Sequence, residues 1–283
     1  MVASPLRYPG GKAKLFPYFV HLIQQNQLFG SEYCEPYAGG AGLAIKLLTC
    51  GFVDSVRIND IDRSVYAFWM AALQMTDRLC GMIEKTPVTI EEWHRQKSIW
   101  DRGNIRNALE LGFATYFLNR TNRSGIIEGA GPIGGYAQRG TWKVDVRLIK
   151  DKQIDNLKSL ARYSRQIKVT KLDAMRFFDL VVGRERTFIY LDPPYFVKGH
   201  KLYKNFYEEA DHKGIAKSVC RRRRAKWVIS YDDVPQIRRA YAGLDSVRYS
   251  LNYSAGRKGI GTEVMFASPS IDLPRASAFL RVA

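Results

Sequence analysis

The sequence predicts an α/β fold, a mostly parallel sheet closed by an antiparallel hairpin, with a mainly helical domain inserted into it. Three observations predict this. Thr187-Phe188-Ile189-Tyr190-Leu191 is an apolar run with aromatic and β-branched members and no helical period, as a strand buried on both faces requires. A strand over 33–37, a glycine turn over 38–42 and a helix over 43–50 make a crossover of the nucleotide-binding kind, and a further strand follows over 55–58. After Asp151 the alternation of helix and strand resumes, ending in two strands over 247–253 and 262–267.

At 283 residues the chain can bury a full core and carry a smaller inserted domain. No apolar run is long enough to span a membrane, and residues 1–11 are polar and glycine-rich, without a secretory pattern. Cys34, Cys50, Cys80 and Cys220 are scattered without C-x-x-C spacing. They argue against a disulfide framework or a structural zinc, and for a reducing cytoplasm. Lys and Arg number 44 against 27 Asp and Glu, a net charge of +17. Such a surplus points to a polyanionic partner, nucleic acid first.

Taken in order, Arg7-Tyr8-Pro9-Gly10-Gly11-Lys12 is a basic, aromatic turn leading into a helix over 13–25. Leu15, Phe19, Leu22 and Ile23 recur there at helical spacing, and Pro17 falls in the first turns. The glycines let the backbone approach a ligand, and Lys12 at a helix start can point at a carboxylate. The bland alternative is a terminal arm with a solvated lysine. Glu35 lies in the strand over 33–37, ahead of Ala38-Gly39-Gly40-Ala41-Gly42. The strand over 55–58 ends in Asn59-Asp60-Ile61-Asp62. An acidic residue about 20 positions beyond a glycine loop is placed to take both hydroxyls of a ribose, which singles out Asp60. Asp62 suits the cap of a helix expected over 63–82.

From about Leu73 to Asp151 the pattern changes. Helices over 89–100 and 105–118 precede Asn119-Arg120-Thr121-Asn122-Arg123-Ser124-Gly125. Residues 126–142 lose any apolar period and mix glycines with Tyr136, Gln138, Arg139 and Trp142. Amides, arginines and aromatics together suit a flexible hairpin that touches a nucleic-acid groove, against the alternative of an ordinary surface loop. A helix over 153–163, a strand over 166–170, Leu172-Asp173-Ala174 and a short helix with Phe177 and Phe178 come next. Segment 201–207 is aromatic and basic. A helix from Asp211-His212 to Arg224, a strand over 225–231 and a helix over 235–241 complete the pattern. Arg221-Arg222-Arg223-Arg224 reads as a solvated helix end rather than a clamp.

The strand over 187–191 stops at Asp192-Pro193-Pro194-Tyr195, because neither proline can donate to a ladder and each disfavours helix before it. Asp192 then stands at the carboxyl end of a central strand, where open α/β sheets bind ligands. The loop offers a carboxylate, the Pro193 carbonyl and the Tyr195 ring. It is either a plain turn or a grip for a planar, amino-bearing ring stacked on Tyr195, its amino protons going to Asp192 and the Pro193 carbonyl.

These segments resemble, in their order, the Dam-type DNA adenine-N6 methyltransferases (D12 class, group alpha). The resemblance rests on Tyr8-Pro9-Gly10-Gly11-Lys12, Glu35-Pro36-Tyr37-Ala38-Gly39-Gly40, Asn59-Asp60, Leu118-Asn119-Arg120 and Asp173-Ala174. Asp192-Pro193-Pro194-Tyr195, Phe206-Tyr207 with Asp211-His212, and Gly261-Thr262-Glu263-Val264 extend it over nearly the whole chain. It implies a Rossmann-like class I S-adenosylmethionine-dependent methyltransferase sheet. Residues 1–72 and 152–283 would form the catalytic domain, and 73–151 an inserted target-recognition domain. S-adenosyl-L-methionine is the implied cofactor, with Tyr8, Lys12, Glu35, Ala38, Gly39, Asp60, Asp173 and Asp192 in or around its site, and no metal. Asp192, Pro193, Pro194 and Tyr195 would act on an adenine flipped out of double-stranded DNA. DNA contacts are expected from Asn119, Arg120, Asn122, Arg123, Tyr136, Gln138 and Arg139. A cognate restriction endonuclease or other defence component fits as a partner, in a bacterial or phage-type cytoplasm. Residues 122–142 depart from the GATC-methylating members, which concerns the target sequence and not the reaction. The competing readings are methylation of cytosine N4 or of RNA on the same scaffold, and an inactive DNA-binding regulator. Asp before Pro-Pro favours adenine N6, and the intact acceptor loop argues against decay.

Overall fold

Strand β4 (Thr187–Leu191) lies at the centre of a sheet because each of its faces has a core to enter. Phe188 and Tyr190 join one apolar cluster, while Ile189 and Leu191 join a second on the opposite face. This is the two-residue alternation of a strand with both sides covered, so the run reads as continuously apolar. The computed structural model describes residues 2–8, 11–196, 207–253 and 259–275, the side chains of 251–253 and 259–260 excepted. Its sheet also contains β1 (Ser31–Glu35), β2 (Val53–Asn59), β3 (Ile167–Thr170), β5 (Lys226–Asp232), β6 (Ser246–Tyr253) and β7 (Gly259–Ala267). The order is β3-β2-β1-β4-β5-β7-β6, with β7 antiparallel to both neighbours and every other pair parallel. The chain thus has the mixed, mostly parallel α/β sheet expected, closed by the expected hairpin. The carboxyl ends of β1, β2 and β4 lie side by side at the point where the strand order reverses, the usual ligand crevice of such sheets.

A 3-10 turn (Lys12–Leu15) enters α1 (Phe16–Gln25), with Pro17 in its first turn as anticipated. Helix α2 (Gly42–Thr49) follows the glycine turn, and Asp62 caps α3 (Arg63–Gln74), accepting from the Ser64 amide at 2.7 Å. The single helix expected over 63–82 is two helices. The backbone leaves helical geometry at Met75 (φ −132°, ψ 33°), and α4 (Thr76–Lys85) continues in a new direction to pack on α7 (Lys150–Ala161). The Thr76 hydroxyl takes the Ala72 carbonyl at 2.7 Å, the kind of side-chain competition that bends helices.

Helices α5 (Ile90–Arg102) and α6 (Ala108–Thr121) are capped by Thr89 and Asn107. Helix α6 packs against α3 so closely that a Cβ on Gly112 would meet the Ala67 carbonyl oxygen at 2.6 Å. Phe68 and Tyr116 stack across this contact with ring centroids 5.8 Å apart. The buried side chains of α5 and α6 therefore run continuously into the core beneath the sheet. Residues 126–142 form turns rather than a paired hairpin, and the bridge between Asn122 and Pro132 is isolated.

Helices α8 (Ala174–Val181), α9 (Glu209–Cys220) and α10 (Pro235–Ala240) cover the second face. Helix α9 stops at Cys220, four residues before the expected end, and the Trp227 indole donates to the Arg222 carbonyl at 3.2 Å. Arg221, Arg222, Arg223 and Arg224 are all exposed. Residues 9–10, the aromatic-basic stretch up to Phe206 and residues 254–258 lie outside the described residues. Among the described residues no helix is long and apolar enough to cross a membrane.

Candidate active site

A cavity of about 410 Å³ opens at the carboxyl ends of β1, β2 and β4. Its floor is the glycine turn after β1. Gly39 takes φ +47°, in the left-handed region, and the Tyr8 ring lies where a side chain at 39 would go. The turn is pinned from below, since Asp60 Oδ2 accepts from the Gly39 amide at 2.9 Å and the Trp69 indole donates to the Gly39 carbonyl at 3.0 Å. The Asn59 side chain ties neighbouring strand ends together. It donates to the Pro36 and Leu172 carbonyls at 3.0 Å and accepts from the Thr170 hydroxyl at 2.8 Å.

Seven of the eight residues expected around the cofactor, Tyr8, Lys12, Glu35, Ala38, Gly39, Asp60 and Asp192, line this cavity. Asp173 does not. It is exposed and caps α8, accepting from the Met175 and Arg176 amides at 3.0 and 3.1 Å, while its neighbour Ala174 reaches the cavity wall. Asp60 is also more committed than expected, because its second oxygen accepts from the Asp62 amide at 2.9 Å.

Pro194 lines the cavity beside Asp192, and Pro193 is buried. Asp192 Oδ1 lies 3.2 Å from Lys12 Nζ and accepts from the Ser230 hydroxyl at 3.0 Å. The expected open face of Tyr195 is not seen. The residue is 3 % exposed because its hydroxyl donates to Glu263 and accepts from Lys12 Nζ at 2.7 Å. The lysine, expected to point at a carboxylate, points at two that belong to the protein, Asp192 and Glu263.

Burial pushes the Asp192 carboxyl up to about 6; Lys12 opposes this and Glu263 adds to it. Burial alone would depress the Lys12 ammonium, but Asp192 and Glu263 hold it well above the usual lysine range. Burial likewise raises Glu35 to about 8 against the Tyr33 hydroxyl that donates to it, and Asp60 to about 6. Burial holds these three carboxyls towards their neutral form, and a cationic ligand in the cavity would draw them back to the ionised one.

Tyr37 and Glu263 are among the site members that were not expected. Tyr37 lines the cavity beside Tyr207, which donates to its hydroxyl at 3.5 Å. Glu263 lies behind the cavity wall. Both stand in motifs that the sequence displays, but nothing local says that their side chains meet the loop.

The residues expected to touch DNA divide. Asn119 is buried, donating to the Arg7 and Gly125 carbonyls at 2.7 and 2.8 Å and accepting from the Arg7 amide at 2.7 Å. Asn122 is buried too, bonded to the Ile126 carbonyl at 2.8 Å and to the Trp93 indole at 2.6 Å. Arg120 turns inward to the Pro5 carbonyl, and Gln138 holds the turns over 133–144. These four organise backbone instead of facing outward, because their polar groups answer buried backbone groups. Arg123, Tyr136 and Arg139 are exposed, Tyr136 to 59 % and stacked on His94 at 5.7 Å. Among the described residues no group of His, Cys, Asp or Glu is arranged for a metal.

The model of a family described as D12 class N6 adenine-specific DNA methyltransferase matches residues 8–254. No curated protein matches the chain. Among solved structures, the rRNA methyltransferase aviRa from Streptomyces viridochromogenes is similar at 12 % identity, over 89 % of this chain and 84 % of that one, with a TM-score of 0.40. A second structure of that protein covers 93 % and 88 % at 12 % identity, with a TM-score of 0.43.

Proposed function

Because the chain belongs to the D12 class N6 adenine-specific DNA methyltransferase family, we propose that it methylates the N6 amino group of an adenine flipped out of a specific double-stranded DNA site, using S-adenosylmethionine. One observation carries this reading: Asp192 stands at the cavity, at the carboxyl end of β4, with a buried ammonium beside it.

The cavity fits the cofactor. Glu35, Asp60 and Asp192 complement a ligand with a sulfonium and an ammonium, Tyr8 supplies an aromatic wall, and exposed Ile61 an apolar rim. Bound there, S-adenosylmethionine supplies a methyl group already activated on sulfur. The chain's own residues do the rest. The N6 lone pair of adenine is delocalised into the ring and is a poor nucleophile. Asp192 and the Pro193 carbonyl accept hydrogen bonds from the amino protons, localise that lone pair and stabilise the positive charge that develops on nitrogen. Lys12 keeps Asp192 ionised for this task. Tyr195 takes the stacking role, which requires its ring to be uncovered when the flipped base arrives.

Residues 73–151 act as the target-recognition insert, with Arg123, Tyr136 and Arg139 as its outward-facing readers. A reducing cytoplasm is the setting, with a restriction endonuclease or other defence component as companion. The test is expression in a methylation-free host followed by single-molecule sequencing of its DNA. N6-methyladenine confined to one motif, and lost in Asp192→Ala, is expected. Unmodified DNA, or methylation of cytosine N4, overturns the reading.

A further inference from the structure

Glu263 does not reach the cavity, yet it is wholly buried and charged, a state that needs strong partners. It has three. Lys12 Nζ lies 3.1 and 2.9 Å from its two oxygens, the Tyr249 hydroxyl donates to it at 2.8 Å, and the Tyr195 hydroxyl donates to it as well. Two of these partners also hold the acceptor loop. A lysine ammonium has three donors, and Lys12 has three partners in Asp192, Glu263 and the Tyr195 oxygen. Tyr195 in turn spans from the loop to Glu263, so Lys12, Glu263 and Tyr195 close into a ring of three side chains, to which Asp192 is joined through Lys12. The loop is thereby fastened to β7, two strands away from β4.

We propose that Glu263 is a positioning residue for methyl transfer, holding Asp192 and Tyr195 in register through Lys12 and the Tyr195 hydroxyl. Its carboxylate is the far end of a clamp whose near end is the group that receives the amino protons. The proposal rests on the reading of Asp192 as that acceptor. A purely structural Glu263 would serve as counter-ion to a buried lysine and nothing more.

The two roles separate by charge. The charged and titratable groups that face Asp192 are Lys12 before α1, Glu35 and Tyr33 on β1, Tyr190 on β4 and Glu263 on β7, while Tyr195 and Tyr249 on β6 face Lys12 and Glu263. Lys12 is the cation among them, and Glu263 competes with Asp192 for it. Glu263→Gln keeps the shape and removes the competitor, so Asp192 stays ionised to lower pH.

In Glu263→Gln, the Asp192 carboxyl, followed by carbon NMR in the cofactor-free chain, should titrate about one pH unit lower than in wild type. The acid limb of methyl transfer should move down with it. At pH 8 the rate should still fall, by roughly 100-fold if the loop shifts by about 1 Å. Tyr195→Phe, which cuts the hydroxyl link and leaves the charges, should lose rate with the acid limb unmoved. A folded Glu263→Gln with an unmoved Asp192 titration overturns the proposal. If that variant does not fold, Tyr249→Phe removes one donor from Glu263 and should lower kcat with KM for cofactor and DNA unchanged; an unchanged kcat overturns it equally. The NMR titration needs no turnover. Absent methyl transfer in wild type would sink the reaction, and an unmoved titration would sink the role of Glu263.

Discussion

Gly39→Ala separates two costs that the structure makes distinct. The first is local: φ at 39 is +47°, and a non-glycine residue in the left-handed region costs about 1–2 kcal/mol. The second is a collision, since the new Cβ would lie 2.7, 2.8 and 3.0 Å from three atoms of the Tyr8 ring. The ring is the outer end of a side chain that is 37 % exposed, so it swings away and the backbone stays. The cavity then loses one wall. If that wall covers roughly 50 Å² of cofactor, the loss is about 1.3 kcal/mol, close to tenfold in affinity. The assays are urea denaturation and calorimetric titration with S-adenosylmethionine, without DNA, on wild type, Gly39→Ala, Tyr8→Ala and the double variant. Gly39→Ala should lose stability in both backgrounds but weaken cofactor binding only where Tyr8 is present. An equal loss of affinity on the Tyr8→Ala background refutes the steric argument, and unchanged stability refutes the strain.

The buried ion cluster predicts a pH dependence. Lys12→Met leaves Asp192 and Glu263 without their cation and should cost about 3–5 kcal/mol at pH 8. A carboxyl whose pKa is raised by folding binds its proton more tightly in the folded chain, so its burden is relieved as pH falls through that pKa. With Asp192 already near 6 in the wild type and higher in the variant, the loss should shrink between pH 8 and pH 5, and a pH-independent loss in denaturation curves would contradict this. Asn119→Ala strands buried backbone groups of Arg7 and Gly125 and should cost about 2–4 kcal/mol in denaturation while leaving the methylated motif unchanged. Arg123→Ala or Arg139→Ala should instead relax the motif at one base position, by about 1–3 kcal/mol of discrimination on a randomised DNA library. If both only slow methylation of every sequence, these arginines hold phosphates.

What the sequence determined by itself is the chemistry that is local along the chain. A five-residue apolar run needs cores on both faces and became β4. Two prolines must end it, which left Asp192 at a strand end, and glycines followed by an acidic strand end produced the Gly39–Asp60 pair at the head of the sheet. Such features depend on backbone geometry and on neighbours a few residues away, so they can be read in order. The tertiary structure alone decided what the polar side chains face. Asn119 and Asn122 look as ready for a base edge as Arg123 does, but an amide satisfies a buried carbonyl as well as an adenine, and α6 carries both asparagines inward. Met75 breaks a helix whose apolar period runs on past it, because α4 has α7 to pack against. Lys12 and Glu263 meet across 251 positions of sequence, and Tyr195 is closed off because of that meeting. A charged group in the interior takes whatever opposite charge the fold delivers, and the spacing of residues along the chain carries no record of that delivery.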